Sequence, residues 1–151
     1  MSREKADKAY ELFKEGYNCA QAVLGAFADE LGLDTETAMK ISSSFGGGMS
    51  RLREVCGAVS GMFMVTGLKY GYSMPDEKEG KADLYKLNQD LAKKFEDING
   101  SIICRELLAL GTKSDEPTPE NRTEQYYKKR PCAELVAEAA NILEEYINQN
   151  K

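Results

Sequence analysis

The chain contains no histidine. That removes Ser-His-Asp and Cys-His catalysis, His-ligated haem, Rieske centres, Cys2His2 zinc and histidine general bases together. Chemistry here must use cysteine, carboxylates, lysine, tyrosine, hydroxyls or the backbone. Tryptophan is absent too, which only makes the protein spectroscopically quiet. There is no excess of positive charge: 20 basic against 25 acidic side chains leave a net charge of −5. Phosphate-backbone binding runs on surplus Lys and Arg, so nucleic acid is not an expected partner. No run is long and apolar enough for a bilayer, since Val55 to Leu68 is short and ends at Lys69. No membrane insertion is expected. Met1 to Lys14 is charged throughout, so no secretory signal is read there. A cytoplasmic location follows as the expectation, with thiols kept reduced. The four cysteines are then reactive thiols, metal ligands or buried small hydrophobes rather than presumed disulfides.

What is present suits one domain over residues 1–151. Apolar residues make up 42% and charged residues 30%, enough for both a core and a solvated surface. Nearly every periodic segment reads as helix. Ala6, Ala9, Tyr10 and Phe13 make one apolar stripe between Glu4 and Glu15, and Gly16 suits its end. Asn18 is a natural N-cap for a helix from Cys19, with Ala20, Val23, Leu24, Phe27 and Leu31 as its buried face and Gly32 as its stop. Asp34 caps a short helix through Ile41. A fourth helix covers Glu54 to Tyr70, and Pro75 suits the start of a polar fifth to about Phe95, with Leu84, Leu87, Leu91 and Phe95 inward. Ser101 caps Ile102 to Leu110, and a last helix starts near Pro131, with Leu135, Ala139, Ile142, Leu143 and Tyr146 on one side. Residues 112–122 form the only long polar, Pro-containing loop and are expected to be flexible. Strand signals are few and no repeat is visible. The fold class expected is all-α, a compact single-domain bundle of about six or seven helices.

Two glycine-rich stretches break the pattern. Gly46, Gly47 and Gly48 have no helical rationale, so they form either a mobile linker or a tight loop whose backbone must approach another segment or a bound group. Gly57 and Gly61 lie one helical turn apart and leave a flat strip for close backbone packing; Gly67 and Gly71 repeat the spacing.

Cys19, Cys56, Cys104 and Cys132 show no CxxC or other short ligand spacing. Their placement says more. Each falls near the predicted start of a helix, where amide donors and the positive dipole end favour thiolate. If those ends meet, four thiolates face one pocket, which suits an iron–sulfur cluster, a zinc ion or dithiol–disulfide cycling. The plain alternative is four buried, inert cysteines. Arg51 or Arg53 could supply positive charge to thiolates, as could Lys128, Lys129 and Arg130, although a solvated charge run is the simpler account of the latter. The glycine loop lacks the GKS/T of a P-loop. Glu11, Glu15, Asp29 and Glu30 read as surface, because a di-iron Glu-x-x-His motif is impossible here. Tyr126 and Tyr127 read as packing residues.

The segment Cys56-Gly57-Ala58-Val59-Ser60-Gly61 resembles the CGAxxG motif of the redox-active protein family named for its four cysteines, C_GCAxxG_C_C. The similarity extends over Gly16 to Ala20, the Phe45 to Met49 loop, Gly67 to Gly71, and single cysteines at 104 and 132. It implies a small helical protein with cysteine-based redox or metal chemistry, an oxidoreductase or electron-transfer protein with an unidentified redox partner. The fold it implies is similar to the cluster-bearing part of split-Soret cytochromes, which makes an iron–sulfur cluster the first candidate cofactor and zinc the second. The four cysteines would serve as metal ligands or, metal-free, as redox thiols, with the backbone of Gly46, Gly47, Gly48 and Gly57 beside the cofactor. The other class is a structural or interaction module, with a structural zinc or inert cysteines and with the Gly57/Gly61 strip as a packing or homodimer surface.

Overall fold

The computed structural model describes residues 3–109, 121–124, 126 and 131–151. Helix α1 (Glu4–Lys14) buries Ala6, Ala9 and Phe13, while Tyr10 sits at the stripe's edge. Helix α2 (Cys19–Phe27) starts with a capping box: Gln21 N–H donates to Asn18 Oδ1 at 2.9 Å and Asn18 N–H to Gln21 Oε1 at 3.0 Å. Regular helix stops at Phe27 rather than Leu31. A turn follows in which Leu33 N–H donates to Ala28 O and Gly32 N–H to Asp29 O, with Gly32 at φ +69°. Gly32 thus closes the segment as a Schellman glycine, the stop expected of it. Helix α3 (Thr35–Ser42) is capped by Asp34, whose Oδ2 accepts from Thr37 N–H.

Helix α4 (Gly57–Tyr70) begins three residues later than expected. Residues 53–56 are instead held against 102–105, with Val55 and Ile103 forming an antiparallel bridge. The same pairing shortens the helix expected over 102–110 to α6 (Cys104–Leu107); Leu110 and Gly111 lie outside the described residues. Helix α5 (Lys78–Asn99) starts after Pro75, because Glu77 Oε2 accepts from the Ser73 and Met74 amides and shapes a turn there. Helix α7 (Cys132–Gln149) follows Pro131. These are seven helices, and no strand longer than the single bridge occurs among the described residues. The flexible loop expected at 112–122 lies, except for Asn121 and Arg122, outside them.

Helix α1 packs on α2 and α7, α2 on α4 and α7, and α4 on α5 and α7. The core between them is filled by Phe13, Leu24, Phe27, Val59, Met62, Val65, Leu91, Phe95, Val136 and Leu143. Each such side chain contributes on the order of 1.5–3 kcal/mol through removal from water. The polar Thr66 is buried at no cost in unmet hydrogen bonds, since its Oγ1 lies 2.6 Å from Asn88 Oδ1 and fastens α4 to α5. Glu30 and Asp29 pair with Lys5 and Lys8 at the rim, and Glu11 and Glu15 are exposed, as read from sequence.

The Gly57/Gly61 strip is used inside the chain. A Cβ on Gly61 would sit 2.9 Å from both Ala20 O and Val23 Cβ, so α4 lies directly on the α2 backbone. Gly67 does not continue the strip: it is exposed, with nothing within 4 Å of an added Cβ. Gly67→Ala is therefore expected to raise stability by about 0.5–1 kcal/mol, read from urea unfolding. Gly61→Ala should lower it, because backbone rather than a flexible side chain stands in the way.

Candidate functional site

Four chain segments that begin helices meet at one end of the bundle. Cys19, Cys104 and Cys132 are the first residues of α2, α6 and α7, and Cys56 is the N-cap of α4. All four line a single cavity of about 390 Å³. None of the four is in a disulfide, and all are buried, with 4% to 9% of their surface exposed. Separations of 28 to 48 residues in sequence thus close into one pocket in space. Among the described residues, no three Cys, Asp or Glu side chains are gathered tightly enough for one metal ion. The four sulfurs share one cavity, and Cys19 and Cys132 are in hydrogen-bond contact within it.

The glycine loop forms the cavity's wall. After a 3-10 turn at Ser43–Phe45, residues 47 to 51 all have positive φ, between +55° and +70°, and Arg53 has +60°. This left-handed turn is the tight loop and not the mobile linker. Asn18 Nδ2 donates to Ser43 O at 3.0 Å, tying the turn to the cap of α2. Gly46 must be glycine because a Cβ would overlap the Asn18 side chain. A Cβ on Gly48 would lie 2.6 Å from Cys104 Cβ and 2.8 Å from Arg53 Cα. Gly57 approaches Cys19 Cβ and Phe45 O at 3.0 Å by the same measure. Gly47 lines the cavity alongside them. Of the four glycines singled out from sequence, Gly48 and Gly57 come up against cysteine side chains, whereas Gly46 lies against Asn18 and Gly47 against Arg51.

The 53–56 and 102–105 segments hold two of the cysteines together. Cys56 N–H donates to Ile102 O at 2.8 Å, and Cys104 N–H to Glu54 O at 2.6 Å. Arg105 reinforces the pairing through Arg53 O and Glu54 Oε1, both at 3.1 Å. Arg53 is the cation beside sulfur: it is 4% exposed, and Nη1 stands 3.6 Å from Cys104 Sγ. Arg51 also lines the cavity, while Lys128, Lys129 and Arg130 lie outside the described residues, as does Tyr127. Sequence reasoning missed Arg122. Its guanidinium donates to Phe13 O and, at 2.8 Å, to Tyr17 O, and it stands over the Phe13 and Tyr126 rings at 4.1 and 5.6 Å. No local pattern marks an arginine that docks across 105 residues. Tyr126 packs as expected, yet as part of the cavity lining.

One electrostatic expectation is overturned. Helix N-termini were expected to lower the thiol pKa values, but those of Cys19 and Cys56 are raised. Cys56 is pushed up to about 12 by burial, against the opposing pull of the Ala58 and Val59 amides. Cys19 is raised well above its ordinary value by its hydrogen bond with Cys132, then by burial, then by the other three sulfurs. The sign for stability follows. Between about pH 9 and 12 the folded chain keeps the Cys56 proton that the unfolded chain loses, so stability falls as pH rises. For a metal-free chain the loss from this group is on the order of 4 kcal/mol across that window. Urea midpoints measured at pH 8 and pH 10.5 check it, with Cys56→Ala expected to flatten the slope.

A family model described as "Putative redox-active protein (C_GCAxxG_C_C)" matches residues 17–146, a span that contains every cysteine. The chain belongs to this family. No curated protein and no solved structure matches it. Within that span the CGAVSG segment runs Cys56-Gly57-Ala58. That order puts sulfur at the N-cap and the side-chain-free residue against Cys19. Among the described residues no helix is long and apolar enough to cross a membrane.

Proposed function

We propose that Cys19, Cys56, Cys104 and Cys132 together hold an iron–sulfur cluster, making this family member an electron-transfer or redox-sensing protein of the cytoplasm that serves a partner protein. The single observation that carries the reading is the meeting of four cysteine-bearing helix starts around one buried cavity. The donor set suits the group: four sulfurs and no competing nitrogen ligand. Four thiolates are the usual ligand set of such clusters, with a single zinc ion as the second candidate. When bound, a cluster supplies reversible one-electron chemistry. The chain's own residues do the rest. The Ala58 and Val59 amides favour charge on the Cys56 sulfur, and the Arg53 guanidinium beside Cys104 favours it there. Burial leaves 4% to 9% of each cysteine's surface open to solvent.

The test is iron and acid-labile sulfide analysis, with a visible spectrum, on the full chain purified without oxygen. Iron with sulfide and a charge-transfer band is the expected result. A colourless chain that takes up no iron on reconstitution would overturn the cluster. One observation favours a second reading, a dithiol–disulfide couple: Cys19 and Cys132 are in hydrogen-bond contact. In that case, oxidation should link this pair and leave Cys56 and Cys104 free.

A further inference from the structure

A second pocket lies at the other ends of α2 and α7 from the cysteines, about 18 Å along α7 from Cys132 at the rise of a helix. Its volume is about 290 Å³, and Lys5, Phe27, Glu30, Glu144, Ile147 and Asn148 are among the residues that line it. Glu144 is the anomaly there. It is 9% exposed, and its Oε1 is buried without a hydrogen-bond partner. A buried carboxylate in that condition has lost water and gained nothing in return, so it calls for a cation or a proton. The lysine of the same lining is already engaged. Lys5 Nζ stands 2.7 Å from Glu30 Oε1 and 5.5 Å from the centre of the Phe27 ring. That pair balances its own charge and leaves Glu144 out.

We propose that this pocket binds a small organic ammonium, with Glu144 as its ion-pair partner and Phe27 and Ile147 against its carbon chain. An ammonium brings the donors that the orphaned oxygen lacks, and a hydrogen bond between two charged groups is the strong kind. Asn148, one turn beyond Glu144, offers an amide oxygen from the same lining. Backbone favours a cation as well. Phe27 closes α2, and Ile147 and Asn148 lie in the last turn of α7, so the carbonyl ends of two helices border the pocket. Only one amide end, that of α1 at Lys5, opposes them. Among the described residues the carboxylates here do not gather into a group that could hold a metal ion, whereas the apolar side chains suit carbon. The pocket shares no described residue with the cysteine cavity, so the proposal stands apart from the reading of the cysteines.

The experiment is an amide NMR titration of the full chain with n-butylammonium chloride, potassium chloride and magnesium chloride at matched ionic strength. Saturable shifts centred on residues 27–30 and 144–148 are expected with butylammonium alone. Glu144→Gln keeps the shape of the side chain and should weaken binding about tenfold or more, as loss of a charged hydrogen bond does. An unchanged spectrum away from the pocket shows that the variant folds. Lys5→Met is the second variant, since it removes the resident cation and leaves Glu30 unpaired, and it should tighten binding. Shifts that potassium reproduces, saturation by magnesium, or binding unaltered in Glu144→Gln would overturn the proposal. Weaker binding in Lys5→Met would count against it equally.

Discussion

Serine in place of any one of Cys19, Cys56, Cys104 or Cys132 is expected to reduce bound iron at least tenfold in chain purified without oxygen. The four positions should behave alike because each sulfur stands at a helix start on the same cavity. Loss of an outer partner that merely orients a ligand costs about 10–100-fold in metal affinity, so loss of a ligand itself costs no less. Serine keeps the size of cysteine and binds iron poorly, so the fold should survive while the metal is lost. The readouts are iron and sulfide per chain and the visible band, with far-UV circular dichroism as the check on folding. A defect confined to Cys19→Ser and Cys132→Ser would contradict the four-ligand account and point to the hydrogen-bonded pair as the redox couple.

The second large effect is expected at Gly48, which has φ +69° and where a Cβ would lie 2.6 Å from Cys104 Cβ and 2.9 Å from Glu54 N. Gly48→Ala meets two penalties together. An L-residue in the left-handed region costs roughly 1–2 kcal/mol, and overpacking against neighbours that cannot yield costs about 1–3 kcal/mol more. The obstacles are backbone and the first carbon of the Cys104 side chain, neither of which can swing away. Stability by urea unfolding should fall by about 2–5 kcal/mol, and Cys104 should shift out of line with the other three sulfurs. Gly67→Ala, a glycine-to-alanine change on open helix, is the matched control and should move stability in the opposite direction. Equal effects of the two changes would show that close approach at Gly48 is not what requires glycine there.

Helix starts were legible in the sequence because caps are local. Asn18 and Asp34 accept from amides three residues on, and the helices expected after them and after Pro131 begin where they should. The meeting of Cys19, Cys56, Cys104 and Cys132 was legible only as a consequence of those starts. What the sequence hid was non-local. Nothing near Val55 announces that it pairs with Ile103, and this pairing moved the start of α4 and shortened α6. Nothing near Arg122 announces its seat on Phe13. The pKa directions of Cys19 and Cys56 failed for the same reason, since the dipole at a helix start is a local property but the Cys19–Cys132 hydrogen bond and the burial of Cys56 are tertiary ones. The left-handed turn was legible in its glycines, yet Met49, Ser50 and Arg51 share its conformation without any residue-level sign. That strain, about 1–2 kcal/mol for each L-residue, is carried by the packing of the turn against Asn18 and Cys104.

The central claim is that the four cysteines form one redox centre. A redox titration of the full chain under argon, followed by visible absorption and electron paramagnetic resonance, tests it most directly. The account predicts a reversible one-electron transition of a bound iron–sulfur chromophore, absent from each Cys→Ser variant. A chain that stays colourless after reconstitution, with all four thiols still free across the range of potentials, would contradict it.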